Sequence, residues 1–240
     1  MTITYIYHSC YLIEFDEFSI LFDFYEDAIR PDGSYWVRDY LLSKDEDLYV
    51  FCTHSHSDHY TPEILTWKEN KSNIRYIFSE ELLKSKSAKA GDAVFLKKEE
   101  TFKDHRIKVK VFGSTDLGGS FLIRFKEILL FHAGDLNNWH WKEEVTADEA
   151  LTFENNFLCE VELISEKLDN LYVAMFPIDP RLGKDFMLGA QQFVSRINTK
   201  YILPMHFGDN YDKANQFEDI AKKYGSHYIA VDKKGQSFYL

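Results

Sequence analysis

Cysteine is nearly absent from this sequence. Its 240 residues contain three, Cys10, Cys52 and Cys159, far apart and with no CxxC pair among them. That excludes a disulfide scaffold and a cysteine-built zinc module, and predicts reduced, buried thiols in a cytoplasmic setting. Proline and glycine are also sparse, at 5 and 11 residues. Neither a low-complexity linker nor a repeat of roughly 20–50 residues is present. No apolar run approaches the roughly 20 residues of a membrane-spanning helix. The opening residues, Met1 to Tyr7, lack a basic stretch followed by an apolar one, so no signal peptide is expected. Basic charge is in deficit: 28 Lys and Arg stand against 39 Asp and Glu, a net charge of −11. Nucleic-acid binding by counterion release is thereby disfavoured, although a local basic groove would restore it.

What is abundant is apolar and aromatic: 45% of residues are hydrophobic and 16% are Phe, Trp or Tyr. That suits a large, bulky core. No shift in composition marks a boundary, so a single domain over residues 1–240 is expected. Strands are read at Thr2 to Tyr7, Cys10 to Phe15 and Ser19 to Phe22, an opening antiparallel meander, and again at Leu48 to Cys52 and Ile74 to Phe78. Further strands follow at Ala93 to Leu96, Thr101 to Lys103, Ile107 to Phe112, Ser120 to Phe125 and Glu127 to His132. Short helices are expected over Ser34 to Leu42, from Pro62 behind Thr61, and over Glu80 to Lys86. From Thr146 the pattern turns helical, with Ala150, Phe153, Phe157, Val161, Ile164 and Leu168 three to four residues apart. Strands then alternate with helices to the end of the chain.

The densest chemistry lies in Thr53-His54-Ser55-His56-Ser57-Asp58-His59, directly after the apolar strand Leu48 to Cys52. On an extended chain His54 and His56 point the same way. Asp58 and His59 can approach from another direction once the chain turns. Imidazole nitrogen and carboxylate oxygen together suit zinc, iron or manganese. A second cluster, His132-Ala133-Gly134-Asp135, also ends an apolar strand, and Trp139-His140-Trp141 follows it. A third strand, Tyr201 to Pro204, leads to His206.

Taken together, the HxHxDH run at His54, His56, Asp58 and His59, the Gly134-Asp135 step and the late His206 resemble the metallo-β-lactamase superfamily. The resemblance spans nearly the whole chain and implies an α+β fold, a four-layer αββα sandwich. It implies that His54 and His56 bind a first metal, that Asp58, His59 and His206 bind a second, and that Asp135 bridges both. The family's usual third histidine for the first metal is missing: Phe112 to Ser120 contains none, and alignment of its Gly-Ser step places Asp116 there. The set of two histidines and two carboxylates is harder than usual, which moves the balance towards iron or manganese. One or two divalent transition-metal ions are expected, zinc first, manganese or iron as alternatives. Tyr7-His8-Ser9-Cys10-Tyr11-Leu12-Ile13 resembles the opening segment of the L-ascorbate-6-phosphate lactonase-like branch, which places His8 close to the site, either supporting a ligand or facing substrate rather than binding metal, with a plain structural role as the alternative.

In such a site the bound metal lowers the pKa of water from about 16 towards 7. Asp58 is the expected catalytic carboxylate, both ligand and orienter of the attacking hydroxide. His140, Asp179 and Arg181 are candidate substrate contacts, the last as an anion clamp. The leading expectation is a hydrolase of a small-molecule ester, lactone, amide or phosphoester, cytoplasmic, unattached to a membrane, and with homo-oligomerisation left open. A nuclease or phosphodiesterase is the first alternative. A non-hydrolytic iron protein or degenerate metal-binding scaffold is the second.

Overall fold

The computed structural model describes residues 1–168 and 170–240. Backbone contacts divide the chain into two compact units: Met1–Leu96 with Asp232–Leu240, and Lys97–Val231. Each is built on one seven-stranded mixed sheet. The α+β class expected from the sequence is the class observed.

In the first unit, strands β1 (Thr2–Tyr7), β2 (Cys10–Glu14), β3 (Phe18–Phe22), β4 (Asp47–Cys52), β5 (Ile74–Ser79) and β6 (Val94–Leu96) lie side by side in chain order. The sheet is completed on the other flank of β1 by a strand from the far end of the chain, Gln236–Tyr239. β1 to β3 form the expected antiparallel meander. From β3 onward the pairing is parallel, which forces the chain to cross back between strands. Because β1 is antiparallel to β2 and β2 to β3, the C-terminal ends of β1, β3, β4 and β5 all fall on one edge. Turns after parallel strands gather chemistry at such an edge. Here they present His8, Asp23, Thr53 to His59 and Glu81.

The strands are β-branched and aromatic, and the five residues of β3 are all buried. Leu12, Leu21, Val50 and Phe78 form a core with Ile64 and Trp67, which belong to the segment after the histidine cluster. That segment, Pro62–Glu69, starts at Pro62 as expected, but it is a 3₁₀ helix and Thr61 makes no side-chain cap. The helix expected from Ser34 is a π-helix, Trp36–Leu41. The Asp27 carboxylate caps it by accepting from the backbone N–H groups of Val37 and Arg38, at 3.0 and 2.9 Å, while Ser34 turns back to Asp32. α1 (Glu81–Lys84) is a single turn.

The second unit orders its strands β7 (Thr101–Lys103), β8 (Lys108–Phe112), β9 (Ser120–Phe125), β10 (Ile128–His132), β11 (Asn170–Pro177), β12 (Asn198–Met205) and β13 (His227–Tyr228) again in sequence. β10 to β13 are parallel, and β9 runs against both β8 and β10. The C-terminal ends of β8, β10, β11 and β12 therefore share one edge, the edge that carries Asp116, Asp135, Asp179 and His206. α2 (Ala147–Ser165) opens with a Thr146–Glu149 capping box and buries Ala150, Phe157, Val161 and Ile164. Phe153 lies at the margin of that stripe, 36% exposed. Phe157, Phe176, Phe193 and Phe131 pack ring against ring in series, with Phe193 on α3 (Leu188–Val194). The last helical stretch is broken into α4 (Tyr211–Ala214), a 3₁₀ turn and α5 (Glu218–Lys223). The closing strand of the chain, β14, is the Gln236–Tyr239 segment of the first unit. Among the described residues no helix is long and apolar enough to cross a membrane.

Candidate metal centre

The histidine loop of the first unit is held by groups that carry no motif in the sequence. Asp23, at the end of β3, is buried and takes up φ +45°. Its Oδ1 accepts the Thr53 backbone N–H at 2.8 Å, and its Oδ2 accepts the Thr53 hydroxyl at 2.7 Å. The same Oδ2 lies 2.8 Å from His59 Nδ1. A carboxylate only accepts, so Nδ1 carries the proton and Nε2 is left as the donor atom for a metal. Thr53 Oγ1 gives its own proton to Asp23, so it accepts at its 3.0 Å contact with His54 Nδ1. His54 is thereby set in the same tautomer, again with Nε2 presented. One carboxylate orients two histidines, the outer-shell arrangement typical of metal-ligating imidazoles.

Within this unit His54 Nε2 stands 3.0 Å from His56 Nδ1. His8, Asp58 and His59 each offer a ligand atom, all within 4.8 Å of one another. His54 and His59 are buried, His56 is exposed and Asp58 is half-buried. The loop is braced from behind by Glu81, whose carboxylate accepts both the backbone N–H and the hydroxyl of Ser55 at 2.8 Å. Cys52 packs behind the loop with its Sγ 3.2 Å from His54 O. Burial pushes the Cys10 and Cys52 thiols well up, so both are inert. Cys159, by contrast, is exposed on α2.

The second unit repeats the device. His206, at φ +63° just past β12, places Nδ1 2.9 Å from Asp179 Oδ2 and Nε2 3.4 Å from Asp135 Oδ1. Burial pushes the Asp179 carboxyl up, but hydrogen bonds from His206 and Arg181 outweigh it and hold it at about 2. Arg181 grips Asp179 through Nε and the backbone N–H, both at 2.9 Å; its charge is directed to that carboxylate. The 3.4 Å spacing between His206 and Asp135 is longer than a good N–H···O bond. It matches the separation of two ligands on one tetrahedral ion, roughly 3.3–3.4 Å for bonds of about 2.0–2.1 Å.

Asp135 follows Gly134, which turns at φ +54°. Asp116 and Asp135 bring ligand oxygens within 4.8 Å of each other, a like-charge approach that a cation relieves. Thr115 ties their two loops together: its hydroxyl meets Asn137 O at 2.6 Å and Asn137 N at 2.9 Å. Gly189 lets α3 close on the same turn, since a β-carbon there would fall 1.9 Å from Asn137 Oδ1. Trp139 donates its indole N–H to Asp135 O at 2.8 Å and lies edge-on to His206. His140 is buried with both ring nitrogens engaged by backbone, Nε2 at 3.2 Å from Asp185 O and Nδ1 at 3.2 Å from Lys142 N. Burial lowers its pKa, so it stays neutral, and its place is structural.

A model of the Beta-lactamase superfamily domain matches residues 2–151, more than half of the chain. The chain belongs to this superfamily. Among solved structures, this β-lactamase-superfamily chain is similar to Igni18, a metallo hydrolase from the archaeon Ignicoccus hospitalis, at 18% identity and TM-score 0.68, with both chains fully covered. It is similar to CmlA, a diiron β-hydroxylase from Streptomyces venezuelae, at 14% identity and TM-score 0.69, covering 100% of this chain and 54% of that one. It is also similar to YhfI of Bacillus subtilis, a metallo-β-lactamase fold protein, at 11% identity and TM-score 0.64, with 99% and 98% covered. These likenesses establish a common fold. No curated protein matches. In each unit the donors fit a divalent metal ion: His54 and His59 of the first and His206 of the second are fixed through Nδ1 with Nε2 presented, and a carboxylate of the same unit, Asp58 or Asp135, stands nearby.

Proposed function

We propose that this superfamily member is a metal-dependent hydrolase of a small-molecule ester, lactone, amide or phosphoester. In this reading His54 and His56 of the first unit hold one divalent ion and Asp58 and His59 a second, and Asp116, Asp135 and His206 are the metal ligands offered by the second unit. The observation that carries it is the orientation of His54, His59 and His206. Thr53, Asp23 and Asp179 accept hydrogen bonds from their Nδ1–H groups, and a buried imidazole held that way in three separate places is built to ligate. Bound ions of this kind acidify water and stabilise developing negative charge on oxygen. Asp58 is the carboxylate of the histidine loop, with its side chain 40% exposed. It is assigned to orient the attacking water and take its proton. Trp139 closes off one side of His206. The net charge of −11 favours a small substrate over nucleic acid.

Protein purified without added metal and loaded with Zn²⁺ or Mn²⁺ should retain one to two ions per chain by elemental analysis. It should also cleave at least one class in a panel of lactones, thioesters and phosphodiesters. Unchanged metal content in a His54→Ala, Asp58→Ala double variant would refute the ligand assignment. A second reading, iron-dependent oxidation, is favoured by one observation, the paired carboxylates Asp116 and Asp135, because hard oxygen donors suit iron. Substrate-dependent O₂ consumption by Fe²⁺-loaded protein, with no hydrolysis in the panel, would select it.

A further inference from the structure

The turn joining β1 to β2 is made by His8 and Ser9. A two-residue turn of this kind places a residue at positive φ, a position ordinarily given to glycine. His8 occupies it at φ +56°. Its backbone N–H is fixed by the Tyr5 hydroxyl at 2.8 Å, and its ring stands edge-on to Tyr25 and His59, with centroids 6.2 and 5.9 Å away. His8 is also buried. A side chain kept in a conformation that disfavours it, and aimed at a cluster of donors, points to a role for that side chain.

His8 Nε2 lies 3.3 Å from Asp58 Oδ2. A charge-assisted hydrogen bond would draw these atoms to roughly 2.7–2.9 Å. The observed distance is instead that of two ligands on one tetrahedral ion, the same spacing found between His206 and Asp135. His8, Asp58 and His59 come from the ends of β1 and β4 on one sheet edge, and their ligand atoms lie within 4.8 Å of one another.

We propose that His8 is a metal ligand. It forms with Asp58 and His59 a set of two imidazoles and one carboxylate supplied entirely by the first unit. The proposal rests on the metal-centre reading above and extends it, since the superfamily pattern carried by this sequence does not count His8 among the metal ligands. Three donors anchored on one sheet make this the tighter site. It loads before the ion at His54 and His56, and it keeps positions open for water or substrate.

The test is His8→Gly, which removes the imidazole and supplies the residue the turn prefers. The metal-free variant should melt at the same temperature as wild type or higher. Co²⁺ titrated into metal-free protein reads the sites through its visible absorption, with no substrate needed. Wild type should show a tight first step. In His8→Gly that step should weaken at least about 10-fold and change its spectrum, because a nitrogen donor is gone, while the second step stays within about 2-fold. His8→Asn, which also tolerates positive φ, should behave alike. Unchanged affinity and spectrum in both variants would overturn the proposal. So would a weaker first step with an unchanged spectrum, which is the signature of positioning rather than ligation. Wild type that binds no Co²⁺ would refute the metal centre itself, an outcome separate from failure of the His8 assignment.

Discussion

Asp23→Asn is the sharpest perturbation this site offers. It keeps the shape of the side chain and exchanges one acceptor for a donor. In the native protein Asp23 Oδ2 accepts hydrogen bonds from both Thr53 Oγ1 and His59 Nδ1. With the substituted side chain's Oδ1 still accepting from Thr53 N, its amide N–H₂ faces His59. Metal-free protein has an easy response: His59 moves its proton to Nε2, Thr53 reverses its hydroxyl and donates it to His54 Nδ1, and each group that faces the amide keeps a partner. Both histidines are then in the wrong tautomer for ligation. To bind metal they must return to Nδ1–H, leaving two buried donors facing each other. Turning the amide over moves the clash to Thr53 N without removing it. One unsatisfied buried donor costs about 1–3 kcal/mol, which is roughly 5- to 150-fold in affinity. The variant should fold, with its metal-free unfolding midpoint in urea little changed, and calorimetric titration should show both ions weakened. Thr53→Val removes only the link to His54 and should weaken one ion. Equal affinity for both ions in Asp23→Asn and wild type, or a loss confined to one ion, would refute the shared tautomer control.

Asp179→Asn should act on His206 in the same way, weakening metal about 10- to 100-fold by calorimetry without unfolding the chain. Removing metal with EDTA from protein held in free metal ion at about 100 times the Kd should cost about 2.7 kcal/mol; for a chain of this size that lowers Tm by about 5–10 °C in a thermal melt. Glu63 is held below its ordinary value near 4.5 chiefly by its hydrogen bonds from Arg38. A depressed carboxylate stabilises the fold above that value and loses the contribution as pH falls through the lowered one. Both side chains are more than a third exposed, so Glu63→Gln should cost less than about 1 kcal/mol at about pH 7, and the difference should vanish in urea melts as pH falls well below the ordinary carboxylate value.

The strands were legible because alternation and β-branched runs are local. Leu48 to Cys52 and Ile128 to His132 could be read without knowing their neighbours, and the ligands were found because each follows such a strand. Helix type was not legible. Apolar spacing cannot separate a π-turn at Trp36–Leu41 from an α-turn, and the carboxylate that caps it, Asp27, lies ten residues upstream of Val37. Asp23 was missed for a related reason. A single aspartate after a strand carries no motif, and its role appears only when β3 pairs in parallel with β4 and sets Phe22 opposite Phe51. Thr53 was visible as the first residue of the histidine loop, but its hydroxyl gains meaning only from Asp23. Phe153 fell outside the buried face because it sits at the edge of a stripe whose width the sequence leaves open.

The flank of β1 is covered by Gln236–Tyr239, residues that leave the ribosome long after β1 itself. During synthesis the strand Thr2–Tyr7, rich in Ile and Tyr, therefore waits with one row of backbone N–H and C=O groups open while the whole second unit is made. An uncovered strand edge of this composition is a template for pairing between chains. Polypeptides stopped short of Gln236 are accordingly the ones expected to aggregate, and the last strand of the chain acts as the seal that ends that exposure.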